Sequence, residues 1–179
     1  MGVAKMPYLF INLISYIVLL IVLANVVYAS DNTIAIQTKG ASTSISIDQS
    51  GTSNTTTVWC GLSGGAYATH SCSNATITID QHGTSNTARA YSQVTNHNDN
   101  VYTINQNGNS NDAYIDLDDD QNISTITQTG NSNTGIVYMR GDDNVYTITQ
   151  TGSNFYAKMY AFGDDSAWSI TQSGTGNHN

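Results

Sequence analysis

Residues 123–130 read ISTITQTG, residues 145–152 read VYTITQTG and residues 167–174 read AWSITQSG. Their shared core, Ile-x-Gln-x-Gly, occurs six times along the chain, at Gln49, Gln81, Gln106, Gln128, Gln150 and Gln172. The intervals between successive glutamines are 32, 25, 22, 22 and 22. A period of this length is typical of stacked supersecondary units rather than of a conventional globular core.

The residues before each glutamine predict a β-strand. β-Branched and aromatic residues alternate with small polar ones, a pattern typical of a strand with one buried face. An isoleucine stands two residues before every glutamine, at Ile47, Ile79, Ile104, Ile126, Ile148 and Ile170. The glutamine has the same parity, so we expect both side chains to point into the core. A buried amide is costly unless it is paired, and stacked coils about 4.8 Å apart would pair each glutamine with the next.

A tight turn is predicted after each glutamine, because glycine and asparagine both tolerate positive φ. The glycines are Gly51, Gly83, Gly108, Gly130, Gly152 and Gly174. The asparagines are Asn54, Asn86, Asn111, Asn133 and Asn177, whereas Asn154 comes one residue early. A second alternating stretch follows, as in Ala113, Ile115 and Leu117. Each unit reads as strand, turn, strand, turn, which predicts an all-β solenoid of about six coils of about 22 residues with cross-β stacking.

An acidic turn closes the regular units, and it contains Asp120, Asp142, Asp164, Asp143 and Asp165. Stacked carboxylates would repel one another by roughly 0.8 kcal/mol per pair at about 5 Å in water. Solvated turns of this kind would keep the monomer soluble and slow its assembly. The alternative is a row of calcium-type oxygen ligands. The Gly-Gly-x-Gly-x-Asp repeat of calcium-binding β-rolls is absent, so we favour the first interpretation.

The chain divides into three regions. Residues 1–29 carry a long apolar run and predict a cleaved signal peptide, with an uncleaved membrane anchor as the alternative. Residues 30–42 predict a leader or an imperfect first strand. Residues 43–179 hold the six repeats, the last of them truncated, with an insertion at residues 59–74.

Cys60 and Cys72 bracket that insertion. An even pair of cysteines in an exported protein favours a disulfide, and two free thiols are the second alternative. A metal site that includes His70 lacks a standard ligand spacing, and a Cys–His nucleophile pair lacks a third, orienting group. We therefore expect no metal and no cofactor.

Charge and composition narrow the possible functions. The chain beyond residue 29 carries 13 aspartates and four basic residues, which argues against nucleic acid or an anionic membrane surface as a partner. The only proline is Pro7, so the repeats contain no strand breaker. The polar groups recur evenly instead of converging on one site, so we do not expect an enzyme.

The string Ser/Asn-x5-Gln-x-Gly-x-x-Asn-x-Ala resembles the curlin repeat of curli fibre subunits. Its first position is matched by Asn100, Asn122, Asn144 and Ser166. Its alanine is matched by Ala88, Ala113 and Ala157, with Gly135 in its place once. The resemblance covers roughly residues 43–179. Curlin repeats usually carry a second glutamine on the second strand, and this divergent chain instead has Ser92, Leu117, Met139 and Ala161.

The resemblance implies a structural subunit of an extracellular functional amyloid. Such subunits leave a Gram-negative cell through an outer-membrane secretion pore, polymerise with themselves on a nucleator subunit, and serve in biofilm matrix and surface adhesion. Open ends of a solenoid also favour filaments, because unpaired strand edges add further strands. The alternatives are a monomeric secreted β-solenoid adhesin and an ice-binding solenoid. The second has little support, since aspartate and asparagine interrupt the outward threonine rows.

Overall fold

A computed structural model describes residues 10–11, 22–26, 31–61, 71–92 and 97–176, and every regular element among them is a β-strand. The strands are β1 (Phe10–Ile11), β2 (Val22–Val26), β3 (Thr33–Thr38), β4 (Ser44–Thr52), β5 (Thr55–Cys60), β6 (Cys72–Ser73), β7 (Thr76–Thr84), β8 (Thr87–Ser92), β9 (His97–Asn98), β10 (Val101–Asn109), β11 (Asp112–Leu117), β12 (Ile123–Asn131), β13 (Thr134–Arg140), β14 (Val145–Ser153), β15 (Tyr156–Phe162) and β16 (Ala167–Thr175). No helix in the described part of the chain is long and apolar enough to span a bilayer.

Two parallel seven-stranded sheets face each other. The glutamine sheet has the order β16-β14-β12-β10-β7-β4-β2, and the opposite sheet has the order β1-β3-β5-β8-β11-β13-β15. Each complete coil contributes one strand to each sheet, and equivalent positions pair along the stack, as Gln106 does with Gln128. This register confirms the predicted β-solenoid of about six turns of roughly 22 residues.

The core lies between the two sheets and follows from the period-two pattern. Inward side chains of the glutamine sheet, such as Ile104 and Ile126, meet inward side chains of the opposite sheet, such as Ile115 and Val137, and all four are fully buried. Burial of each such side chain contributes about 1.5–3 kcal/mol. One coil could not bury these residues by itself, so stability depends on stacking.

The longer intervals are accommodated at one corner of the solenoid. β4 and β7 pair residue for residue, including Gln49 with Gln81, although the sequence separation of these glutamines is 32. The extra residues include the short strand β6, which pairs with β9 outside the two main sheets. The insertion therefore leaves the register of the ladders unchanged.

The first coil is partly built from residues before the repeats. Within residues 30–42, strand β3 pairs with β5 in the opposite sheet. The two described strands of the segment predicted to be a signal peptide also join the sheets: β1 pairs with β3, and β2 pairs with β4. Cleavage of that segment stays a prediction, and its other residues lie outside the described part of the chain.

Candidate stacking surfaces

The six glutamines of the repeat form one continuous hydrogen-bonded ladder. Each Nε2 donates to the Oε1 of the next coil, at 2.6 Å from Gln49 to Gln81, 2.7 Å from Gln81 to Gln106, and 2.9 Å at each later step to Gln172. Each Nε2 also points its second hydrogen at a carbonyl oxygen of the opposite sheet, for example from Gln106 to Thr87 at 2.9 Å. The buried amides are thus paired as the alternation predicts.

The ladder has a direction, because every amide donates the same way along the stack. At one end, Gln172 Nε2 bonds Tyr156 O at 3.2 Å and the described coils supply no glutamine beyond it. At the other end, Gln49 Oε1 is buried and has no hydrogen-bond partner among the described residues. One end therefore offers a donor and the other an acceptor.

The isoleucine row packs beside the glutamines. Ile47, Ile79, Ile104, Ile126 and Ile148 are buried, and Ile170 in the last strand is half-buried. Tyr102 and Tyr146 lie on the same face and are also buried. Burial raises the pKa of the Tyr102 phenol, so this side chain stays neutral in the core.

The asparagines of the first turn have a role that the pattern did not predict. The positive φ belongs to the residue before each asparagine, namely Ser53, Ser85, Ser110 and Ser132 at 57–59°, and not to the asparagine. Each glycine does take a positive φ, for example +115° at Gly130. Asn154 also has a positive φ, of 62°, so it occupies the serine position of its turn. Asn177 lies outside the described residues.

Asn54, Asn86, Asn111 and Asn133 are fully buried and form a second ladder. The Oδ1 of each accepts the backbone N–H of the next coil, at 3.0–3.1 Å. The Nδ2 of each donates to a glycine carbonyl of the next coil, at 2.8–3.0 Å. These bonds satisfy the main-chain groups of a buried turn, which would otherwise be costly to bury. Phe155 takes the same position in the next coil, where its N–H is the donor to Asn133.

The second turn repeats this arrangement. Asn122 is fully buried, its Oδ1 accepts the N–H of Asn144 at 3.1 Å, and its Nδ2 donates to Asp118 O at 3.0 Å and Gly141 O at 2.8 Å. The sequences Gly-Asn-Ser-Asn at 130–133 and Gly-Asp-Asp-Asn at 141–144 were a signal for this similarity. Both turns of a coil are therefore held by the same hydrogen bonds from a buried asparagine side chain.

The acidic turns are bonded as well as solvated. Asp120 Oδ1 accepts the N–H of Asn98 at 2.7 Å, Asp142 Oδ1 accepts the N–H of Asp120 at 2.8 Å, and Asp164 Oδ1 accepts the N–H of Asp142 at 2.9 Å. Asp143 and Asp165 carry the positive φ of this turn, at 58° and 54°. Within the described residues, no three His, Cys, Asp or Glu side chains are placed to hold a metal ion.

An aromatic row runs along the outer face of the opposite sheet. Successive ring centroids lie 4.9–5.2 Å apart through Trp59, Tyr91, Tyr114, Tyr138 and Tyr160. In β11 the residue in register with Tyr91 and Tyr138 is Asp116, which has no ring. The ring of Tyr114, two residues earlier in the same strand, completes the row, and its hydroxyl donates to Asp116 Oδ2 at 3.1 Å. Burial and the Asp116 carboxylate both raise the pKa of Tyr114. Sequence spacing does not reveal this row, because Tyr114 occupies a different register position.

Cys60 and Cys72 form a disulfide with their Cα atoms 5.5 Å apart, and both residues are buried. The bond closes the corner at which the insertion leaves the solenoid. His70 and residues 62–69 lie outside the described part of the chain, so the structure does not bear on a role for His70.

Residues 122–152 match a family described as the curlin associated repeat. They contain β12, β13 and most of β14, so the match spans a full coil and the start of the next. It confirms the resemblance to curlin that the sequence indicates. No curated protein and no solved structure matches the chain.

Proposed function

We propose that this chain, whose residues 122–152 match the curlin associated repeat, is a self-polymerising subunit of an extracellular curli-like amyloid fibre. The repeat and the β-solenoid fit a structural subunit of this kind, and the curlin repeat family is one of fibre subunits and not of enzymes. The observation that carries the proposal is the polarity of the glutamine ladder. Its donor end at Gln172 is complementary to its acceptor end at Gln49.

The last strand supports the same proposal. β16 is the last strand of the glutamine sheet among the described residues, and none of them pairs with its outer backbone edge. Trp168, which occupies the position of the buried Tyr146 in the preceding coil, is 64% exposed, and Ile170 and Gln172 are half-buried. Soluble β-proteins usually protect such an edge with a proline, a lysine or a bulge. β16 has no lysine or proline, so the edge is suited to pairing.

We place the fibre at the cell surface of a Gram-negative bacterium, where it would contribute to biofilm matrix and adhesion. Export through an outer-membrane pore and polymerisation on a nucleator subunit belong to the same proposal. They rest on the curlin repeat and on the predicted signal peptide of residues 1–29.

The direct test uses the chain without residues 1–29, which leaves every strand from β3 to β16 intact. We expect spontaneous fibres that bind an amyloid dye and give cross-β reflections at about 4.7 Å and about 10 Å. A protein that stays monomeric and rich in β-structure for days at high micromolar concentration would contradict polymerisation and favour the secreted adhesin.

Charge in the acidic turns is expected to slow assembly. Replacing Asp120, Asp142 and Asp164 together by asparagine keeps an Oδ1 acceptor for each backbone N–H and removes two repulsive contacts of roughly 0.8 kcal/mol each. The triple variant should therefore assemble with a shorter lag at neutral pH and low salt. The difference should shrink above about 0.5 M salt, because screening weakens the same repulsion. Equal lag times at low salt would show that these turns do not limit assembly.

A further inference from the structure

We propose that each junction between consecutive fibre subunits contains a composite coil, in which β16 of one subunit and β3 of the next supply the two strands. The inference rests on the proposed polymerisation and specifies its geometry. It follows from two observations on the described strands: β16 has no strand beside it in the opposite sheet at its level, and β3 belongs to the opposite sheet.

The C-terminal end presents a half coil that belongs to the glutamine sheet. β16 stacks on β14, but β15 is the last strand of the opposite sheet, and the described residues place no strand beyond it. The level occupied by β16 therefore lacks its second strand. Met159 and Ala161 of β15 are left at the uncovered edge of the core.

The N-terminal end presents the missing half. β3 belongs to the opposite sheet, and Ile34, Ile36 and Thr38 pair with the inward positions of β5. Asn32 takes the ladder position of the turn asparagines, because its Oδ1 accepts the N–H of Asn54 at 2.8 Å. β3 is therefore an authentic second strand of a coil.

The first strand of that coil comes from the predicted signal peptide. β2 covers the outer edge of β4, with Val26 in register with Gln49. The buried Gln49 Oε1 lacks a partner among the described residues. Once residues 1–29 are removed, the edge of β4 is open to a strand that carries a glutamine at that position.

β16 of a preceding subunit fits this edge in the register used throughout the stack. It places Ile170 on Ile47, Gln172 on Gln49 and Gly174 on Gly51 of the next subunit, as β14 and β16 pair within one chain. The same step places β3 of the next subunit on β15, with Ile36 on Met159. Both sheets then continue through the junction with no level left empty.

The glutamine ladder sets the polarity of the junction. The remaining hydrogen of Gln172 Nε2 meets Gln49 Oε1 of the next subunit, which gives that buried acceptor its partner. Joining two like ends would place donor against donor or acceptor against acceptor. The composite coil thus forms only head to tail, and the fibre is polar.

Disulfide trapping tests the pairing of β3 with β15. Ala35 and Lys158 are both exposed and hold the same outward register position in the opposite sheet. In the composite coil they are neighbours at about 4.8 Å between Cα atoms, within the range of about 4.4–6.8 Å that a disulfide spans. Fibres of the A35C/K158C variant should give, on oxidation, a ladder of covalent multimers on a denaturing gel. Wild-type fibres treated alike control for the oxidant, and the single variants A35C and K158C control for exchange of an introduced thiol with the disulfide of Cys60 and Cys72.

The matched control is A35C/I136C. Ile136 lies in the same row one coil further inside, so its Cα would be about 9.6 Å from residue 35 of the next subunit, beyond disulfide reach. It should give no ladder. A35C/K158C fibres without multimers would overturn the composite coil while polymerisation stands, whereas a wild-type chain that never forms fibres would overturn both.

Hydrogen exchange of wild-type protein gives a second measurement that needs no substitution. The β15 amides that face away from β13 should exchange freely in the monomer and at least about 100-fold more slowly in fibres. If β16 becomes protected in fibres and these β15 amides do not, the glutamine sheet continues across the junction without β3, and the proposal is wrong.

Discussion

Gly130→Ala is expected to destabilise the folded monomer strongly, whereas Gly174→Ala should leave the monomer folded and slow fibre growth. At Gly130 a Cβ would collide with the backbone carbonyl of Gly152 in the next coil, and φ is +115°. The same collision occurs at Gly51, Gly83, Gly108 and Gly152. Backbone atoms cannot move away as a flexible side chain can, so we expect a loss of about 4 kcal/mol or more in the free energy of unfolding.

Gly174 occupies the same position in β16, but a Cβ there meets nothing within 4 Å. Its φ of +108° still strains an alanine, by about 1–3 kcal/mol at the end of the last strand. In the fibre, however, Gly51 of the next subunit would bring its carbonyl against the new methyl group. We expect elongation from wild-type seeds to fall at least about tenfold, which corresponds to about 1.4 kcal/mol at the junction.

Urea unfolding of dilute monomer and seeded elongation separate the two effects. Gly130→Ala should lower the unfolding midpoint, and Gly174→Ala should shift it much less. If Gly174→Ala elongates at the wild-type rate, Gly174 does not lie at the junction and the proposed stacking is wrong. If Gly130→Ala is as stable as wild type, the close approach of the coils at this turn is wrong.

Asn122→Ala is the second substitution with a large expected effect. Removing this buried amide leaves the carbonyls of Asp118 and Gly141 and the N–H of Asn144 without their partner. Each buried group left unpaired costs about 1–3 kcal/mol. We expect a loss of about 3 kcal/mol or more in the free energy of unfolding, because the groups are close and their costs do not simply add.

The control is Asn107→Ala, which changes the same residue type at an exposed position of β10. This variant should stay within about 0.5 kcal/mol of wild type. The comparison is made by urea unfolding followed by circular dichroism. Equal stability of the two variants would mean that the buried asparagine ladder adds little to the free energy of unfolding. Stacking of the glutamines and isoleucines would then account for the stability of the coils.

Sequence periodicity predicted the fold because a solenoid repeats one local pattern. Alternation of residues such as Ile126 and Gln128 defines the inward face, and the constant interval between the last four glutamines defines the register. The insertion did not disturb the prediction, since its extra residues leave the stack at a corner. Parity likewise placed the glutamine inside, where the next copy and a carbonyl of the opposite sheet satisfy its amide N–H groups.

The pattern was less informative about bonds between coils. The pattern predicts a positive φ at Asn133, but Ser132 has that conformation and the Asn133 side chain bonds the backbone of the next coil. For Asp142 the pattern predicts a solvated, repelling charge or, as the alternative, a calcium-type ligand, and it does not predict that the carboxylate holds the backbone of the preceding turn. These roles depend on the direction of a side chain relative to a neighbour one full coil away, which spacing does not encode.

The corner insertion closed by Cys60 and Cys72 has a consequence for the proposed filament. Six strands from β4 to β16 build the glutamine sheet, so one subunit advances the axis by about 29 Å at about 4.8 Å per strand. Only one corner of each subunit carries the insertion. The insertion would then recur about every 29 Å along the filament axis, so that the surface of the rod is periodic at the length of one subunit.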